Sequence, residues 1–279
     1  MNNPPGGLTI EPLTGNTGAL VHGVDLRDVA DEVHAALHQA LLDHLVLFFP
    51  GQSLTMTEQL AFGRLLGEVE VPPFGPGHPD LPEMTVLDQH APKGNGTDAW
   101  HSDNTFRAEP PKFTMLQAEQ LPPTGGDTCW SNMYEAFDTL SGPLQRLLDG
   151  LTATHDLTKI LELTIANGHS GGADLAAMRA AFPPMSHPVV RTHPETGRKA
   201  LFVNGNFTTK IDQLGDAESR RVLDHLYDHI QTPDFQCRFH WTPGALALWD
   251  NRCLQHYAVP DYEDRRVMHR LIIRGEQPA

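Results

Sequence analysis

Trp100-His-Ser-Asp-Asn-Thr-Phe sets an imidazole, His101, two residues from a carboxylate, Asp103. On an extended strand residues i and i+2 point to one face, so both side chains can reach one ion. A third ligand must come from elsewhere. His256, in Gln255-His-Tyr, is a good source, because it follows a strand pattern at 245–249 and precedes a turn at Pro260-Asp261. Two histidines and one carboxylate on one face of an octahedron leave three positions open. Non-haem Fe(II) oxygenases use those positions for a bidentate co-substrate and for O2. Neutral imidazoles and one carboxylate leave the site net positive, which favours a chelating anion. His-x-Asp also arises by chance as a surface histidine beside a solvated aspartate, so the pair needs support from its surroundings.

That support follows His256. Asp261-Tyr-Glu-Asp-Arg-Arg-Val-Met-His-Arg sets Arg266 ten residues and Arg270 fourteen residues after it. The run 267–273 reads as a strand, so Arg266, Met268 and Arg270 share a face. A buried arginine is costly unless it meets an anion, and its planar fork suits a carboxylate or a sulfur or phosphorus oxyanion. Arg265 reads as a surface residue.

The elements that must carry these residues are mostly strands. Period-two or short apolar runs predict strands near 84–87, 113–118, 127–131, 188–191, 200–204, 237–241, 245–249 and 267–274, and Val46-Leu-Phe-Phe is a buried strand stopped by Pro50-Gly51. Gly18 to Leu26 reads as a short strand and turn. Helical spacing predicts helices over 33–45, 134–148 and 216–230, and another that starts at Thr55 or Thr57 and stops at Gly67. Many short strands without βαβ alternation predict a mainly β fold with flanking helices, a double-sheet jelly roll. No linker divides the chain, so 1–279 is expected to be one domain. The Pro- and Gly-rich segment 71–99 and the helical or mobile segment 160–186 are expected to cover the mouth of the site. Phe106 and Phe207 line the pocket or fill the core; Trp249 is expected in the core.

Composition narrows the function classes. With 279 residues the chain can bury about three quarters of its unfolded surface. A net charge of −15 without a basic cluster argues against nucleic acid. No apolar run suggests a membrane span, and Met1-Asn-Asn-Pro-Pro-Gly-Gly does not read as a signal peptide. Cys129, Cys237 and Cys253 form no CxxC pair, consistent with reduced thiols in a cytoplasmic protein.

The chain resembles the taurine dioxygenase / 2,4-dichlorophenoxyacetate dioxygenase family of Fe(II)/2-oxoglutarate-dependent oxygenases over nearly its whole length. The residues that carry the resemblance include Gly18-Ala-Leu-Val-His-Gly-Val-Asp-Leu, Trp100-His-Ser-Asp-Asn-Thr-Phe, and Leu121-Pro-Pro-Thr-Gly-Gly-Asp-Thr-Cys-Trp. They continue with His187-Pro-Val-Val-Arg-Thr-His-Pro, Leu201-Phe-Val-Asn-Gly-Asn-Phe, Trp249-Asp-Asn-Arg, Gln255-His-Tyr-Ala and Arg265-Arg-Val-Met-His-Arg. The resemblance implies a double-stranded β-helix, with His101, Asp103 and His256 as iron ligands. It also implies that Thr128 and Arg266 hold the far carboxylate of 2-oxoglutarate and that Arg270 meets an anionic substrate. The implied reaction consumes O2, converts 2-oxoglutarate to succinate and CO2, and hydroxylates a substrate C–H bond. Asp103 in place of a small residue favours hydroxylation over halogenation. A homo-oligomer, dimer or tetramer, is implied by the family alone.

Departures bear on the substrate. By ungapped counting, Pro72 stands where the taurine enzyme grips the sulfonate with a histidine, Thr97 where an asparagine meets the amine, and Ile160 near a serine of the amine pocket; a nearby tyrosine position falls at about Gly75. Taurine is therefore disfavoured against a more apolar alkyl sulfate, alkyl sulfonate or aryloxy carboxylate. His78 replaces the missing histidine if its loop folds inward. Two other classes use the same ligands: a zinc hydrolase, which needs a general base that the sequence does not place, and a catalytically decayed jelly-roll binding protein.

Overall fold

The computed structural model describes residues 7–72, 78–94, 96–168 and 174–279. Its architecture follows from strands that are apolar on both faces. Strand β3 (Val46–Phe49) is buried at every residue, as is β13 (Leu246–Asp250). Such strands must lie inside a sheet that is covered on both sides. They sit centrally in a seven-stranded sheet with β1 (Thr9–Pro12), β2 (Ala19–His22), β4 (Thr85–Gln89), β5 (Phe113–Gln120) and β15 (Arg266–Ile273), in the order β1-β2-β3-β13-β5-β15-β4.

Residue parity decides what each face meets. Leu246 and Leu248 of β13 and Leu271 and Ile273 of β15 pack under helices α1 (Asp31–His44) and α2 (Met56–Leu66). Ala247, Trp249 and Met268 point the other way, into a second core. That core is shared with a three-stranded sheet, β12-β6-β14, built from β6 (Thr128–Asn132), β12 (Gln236–Phe239) and β14 (Leu254–Ala258). The indoles of Trp130 and Trp249 meet edge to face across the gap, 5.7 Å between centroids. Two facing sheets with flanking helices make the jelly roll expected from the sequence. Smaller sheets extend it: β7 (Thr152–His155) lies between β8 (Met185–Pro188) and β11 (Thr208–Ile211), and β9 (Val190–Thr192) pairs with β10 (Lys199–Leu201).

Local signals placed several elements well. Thr55 caps α2 in a reciprocal capping box with Glu58, and Gly67 ends it. Others need correction. The helix expected over 134–148 is two, α3 (Met133–Asp138) and α4 (Gly142–Leu148), because Pro143 cannot donate within a continuous helix and instead opens the second one. The strand expected at 188–191 is divided between β8 and β9. Four short strands, β1, β7, β11 and β14, carried too little apolar alternation to be read. The segment 160–186 holds α5 (Leu157–Ala166) and α6 (Leu175–Ala181), whereas 71–99 holds β4.

His155, at the end of β7, is fully buried between Phe202 and Thr105. Burial lowers its pKa from 6.5 to about 3, and the nearby positive groups His187 and Lys159 push in the same direction. The unfolded chain therefore binds a proton that the folded chain refuses, and stability falls as pH drops from 6.5 towards 3. At pH 5 this single group should cost about 2 kcal/mol relative to neutral pH. Urea melts at pH 7 and pH 5 should show a smaller difference for His155→Asn than for the unsubstituted protein; equal differences would remove His155 as the source.

Candidate active site

The pairing of β14 with a single residue outside the sheets creates the site. His256 donates its backbone N–H to the His101 carbonyl (2.8 Å), and His101 returns the bond (3.1 Å). This isolated antiparallel bridge holds the two imidazoles 4.2 Å apart between centroids. Asp103 does not continue an extended strand, contrary to the sequence expectation. The chain turns at Asp103, and Asn104 takes a positive φ of 51°, a conformation asparagine tolerates better than most residues. The turn aims Asp103 back at both histidines.

The Nε2 atoms of His101 and His256 each lie 3.8 Å from Asp103 Oδ1, and the three ligand atoms fall within 4.8 Å of one another. His101 Nδ1 faces the Ala99 carbonyl at 2.7 Å. A carbonyl only accepts, so Nδ1 carries the hydrogen and Nε2 presents its lone pair. Burial lowers the pKa of both imidazoles, that of His256 to about 3 with a further push from His101, so both are neutral near pH 7. Burial opposes ionisation of Asp103, but His256, Arg270 and His101, the imidazoles acting through their protonated forms at acid pH, outweigh it and keep its pKa below the usual range. Two neutral imidazoles and one carboxylate, converging in a buried pocket, fit a divalent cation.

The cavity beside this cluster is lined by Thr128, Arg266 and Arg270 as well as Leu116, Trp249 and Ala258. Arg266 and Arg270 thus share a face of β15, as the alternation required, and Arg265 points outward to pair with Asp88. Arg266 is buried, with Nε and Nη2 lacking any hydrogen-bond partner among the described residues. Burial lowers its pKa, and its guanidinium lies 5.9 Å from the Trp241 and Tyr262 rings. The Trp241 indole N–H donates to Thr128 Oγ1 at 3.0 Å, so the Thr128 hydroxyl hydrogen remains available for the cavity. Arg270 Nε is also buried and unpartnered, and its Nη1 lies 3.6 Å from Asp103 Oδ1.

The positions that depart from the taurine pattern fall in different places. Thr97 lines the cavity with Leu87 and Gln89. Ile160 packs instead against the cluster of Phe106, Leu157 and Phe207. Trp249 serves both core and cavity wall. Pro72 is not among the cavity-lining residues, and Gly75 lies outside the described residues. His78 does not substitute for the missing histidine. It sits near His269, whose side chain has the opposite parity to Arg270 and faces the helix side of the sheet.

Three contacts escaped sequence reasoning. Thr114 Oγ1 donates to Asp103 Oδ2, Asn251 brackets the Asp103 backbone, and Trp241 holds Thr128. Asn251 stood inside a recognised motif, Trp249-Asp-Asn-Arg, but nothing in its type reveals which backbone it will meet. A second buried group, His193, Asp250 and Cys253, has ligand-like composition. Its carboxylate is already engaged by Arg252 through both oxygens and by His193 at 3.0 Å, and burial raises the Cys253 pKa well above that of a free thiol. This group is an internal ion pair.

The family described as "Taurine catabolism dioxygenase TauD, TfdA family" matches residues 9–272. An alpha-ketoglutarate-dependent sulfate ester dioxygenase from Pseudomonas putida is 34% identical, over 98% of this chain and 91% of its own length. An (S)-phenoxypropionate/alpha-ketoglutarate-dioxygenase from Sphingobium herbicidovorans is 35% identical, over 96% of this chain and 95% of its own. A crystal structure described as a putative alpha-ketoglutarate-dependent taurine dioxygenase from Burkholderia xenovorans superposes with a TM-score of 0.83 at 32% identity, covering 98% of this chain and 94% of that one. Sequence, fold and the converging His101, Asp103 and His256 side chains agree: this chain belongs to the taurine catabolism dioxygenase TauD, TfdA family.

Proposed function

We propose that this 2-oxoglutarate-dependent dioxygenase binds Fe(II) through His101, Asp103 and His256 and hydroxylates a small, partly apolar organic anion held by Arg270. An alkyl sulfate, alkyl sulfonate or aryloxy carboxylate fits this reading better than taurine. One observation carries it: buried Arg266 and half-buried Arg270, each with buried nitrogens that lack a hydrogen-bond partner among the described residues, open into the cavity that His101 and His256 line, and Arg270 lies beside Asp103. Unpaired buried guanidinium nitrogens are costly, and two of them ask for two anions. Arg266 with Thr128 would take the far carboxylate of 2-oxoglutarate, and Arg270, beside Asp103, would take the substrate. When bound, the metal supplies with 2-oxoglutarate and O2 the oxidant for C–H hydroxylation, with succinate and CO2 released.

The protein's own residues orient and exclude water. Arg270 fixes the anionic end of the substrate, so the adjacent carbon lies towards the histidines. Leu87, Leu116 and Ala258 give the cavity an apolar wall that suits an alkyl or aryl body. If the hydroxylated carbon bears a sulfate ester oxygen, the product eliminates sulfate and leaves an aldehyde; if it bears a sulfonate, sulfite leaves. The sulfate ester and phenoxypropionate relatives support this substrate range. The same reading takes 1–279 as one catalytic unit, with 71–99 and 160–186 over the mouth. Asn167 Nδ2 donates to the Gly94 carbonyl and links the two segments. Among the described residues no helix is long and apolar enough to cross a membrane, and the three cysteines are free and buried, which supports a cytoplasmic setting. A homo-oligomer remains part of the reading through family membership.

O2-dependent succinate formation across a panel of alkyl sulfates, alkyl sulfonates, aryloxy carboxylates and taurine tests the proposal. An apolar anion should outperform taurine, and Arg270→Met should raise its KM by about 100-fold, since the substrate anion loses its half-buried guanidinium partner, while 2-oxoglutarate affinity changes little. Taurine as the best substrate would overturn the substrate reading.

A further inference from the structure

Asp103 is the one carboxylate of the cluster, yet it lies on a turn, where no ladder of strand hydrogen bonds fixes it. Side chains do so instead. Asn251, just beyond β13, accepts the Asp103 backbone N–H at 2.7 Å and donates to the Asp103 carbonyl at 3.1 Å. The same Nδ2 reaches the Pro111 carbonyl at 3.0 Å, and Asn251 N–H donates to the Lys112 carbonyl at 2.8 Å. The turn is thereby tied to the end of β13 and the approach to β5. Thr114, fully buried on β5, shares the parity of Leu116 and Ala118 and so faces the same core. Its hydroxyl donates to Asp103 Oδ2 at 2.8 Å, leaving Oδ1 equidistant from the two histidine Nε2 atoms at 3.8 Å.

We propose that Thr114 and Asn251 are positioning residues for the metal-binding carboxylate: Asn251 sets the place of Asp103, and Thr114 sets its rotation so that only Oδ1 meets the metal. A carboxylate free to rotate can bind an ion through both oxygens and take one of the positions that the co-substrate and O2 require. The Thr114 hydroxyl removes that freedom by occupying Oδ2, and a hydrogen bond to the ionised form also favours the carboxylate. Partners of this kind around ligating groups are worth about 10- to 100-fold in metal affinity.

This inference rests on the reading that His101, Asp103 and His256 hold a divalent metal. Anaerobic Co(II) titration, followed by visible absorption, tests it on the full chain. Thr114→Val keeps the shape and strand preference of threonine and removes only the hydroxyl. It should weaken Co(II) binding by about 10- to 100-fold, with Thr114→Ser restoring it. Asn251→Ala should weaken it in the same direction. The melting temperature of the metal-free protein falls modestly whether the hydroxyl positions the ligand or merely satisfies a buried carboxylate, so Co(II) affinity and its rescue by serine are the discriminating readouts. Co(II) binding by Thr114→Val as tight as by the parent protein overturns the inference and leaves the metal site standing. A parent protein that binds no Co(II), or binds it equally well as His256→Ala, overturns the metal reading itself.

Discussion

Asp103→Ala should abolish 2-oxoglutarate turnover and the visible charge-transfer band that anaerobic Fe(II) and 2-oxoglutarate give with a ferrous keto-acid chelate. The physical basis is the charge of the ligand set. His101 and His256 are held neutral by burial, so Asp103 is the only anion that the cluster offers a divalent ion. Its loss removes one donor of three and all of the neutralising charge. It also leaves Arg270 Nη1, 3.6 Å from Asp103 Oδ1, without its counter-ion beside the site, adding a repulsive cation. Loss of supporting hydrogen bonds to a ligand typically costs about 10- to 100-fold in affinity; loss of the charged ligand should exceed that range. Metal content after desalting, the charge-transfer band and succinate release measure it in three independent ways. A variant that keeps the band would remove Asp103 from the ligand set. The zinc-hydrolase alternative predicts no band in any form of the protein, and the relatives, named as dioxygenases, lend it no support.

Arg266→Met should separate binding from stability. Arg266 is buried with Nε and Nη2 lacking a hydrogen-bond partner among the described residues, and burial depresses its pKa. An arginine in that state costs folding free energy, and replacing a buried charge with an apolar side chain of similar length is often neutral or stabilising. The melting temperature of the metal-free protein should therefore hold or rise. The KM for 2-oxoglutarate should rise roughly 10²- to 10⁴-fold, because a buried carboxylate that loses its arginine forfeits about 3–5 kcal/mol. The stabilisation that 2-oxoglutarate confers in a thermal melt should disappear with it. A purely structural arginine would show the reverse: a lower melting temperature and an unchanged KM. That outcome would sever Arg266 from the co-substrate.

The same two arginines show how much of the site was legible in the chain. Period-two alternation in Arg266-Val-Met-His-Arg placed Arg266 and Arg270 on one face, because side-chain direction along a strand is a local property. The parity of Met268, buried in the core between the two sheets, says which face. His101 and Asp103 were legible as ligand types for the same local reason, although the geometry joining them was not the expected strand. His256 was readable by type and motif, but β14, which carries it, has too little alternation to announce itself; its place is set by pairing with β6 and by the bridge to His101. The substrate-side loops were the least legible. Ungapped counting put Pro72, Thr97 and Ile160 at the pocket; Thr97 does line the cavity, whereas Ile160 packs in an apolar cluster and Leu87 and Gln89, which counting did not name, join the wall.

By itself the sequence determined the residue types and their order: two histidines, one carboxylate, a threonine and paired arginines on strands of a mainly β chain, with family motifs that name the reaction. Tertiary structure alone decided that a bridge between His101 and His256 sets the imidazoles side by side, that a turn rather than a strand aims Asp103 at them, and that Thr114 and Asn251 hold it there. The division has a physical cause. Strand parity and capping depend on neighbours along the chain, so a sequence states them. Convergence of His256, Asn251 and Arg266 on His101 and Asp103 depends on sheet pairing between distant segments, whose partners are selected by burial in the shared core.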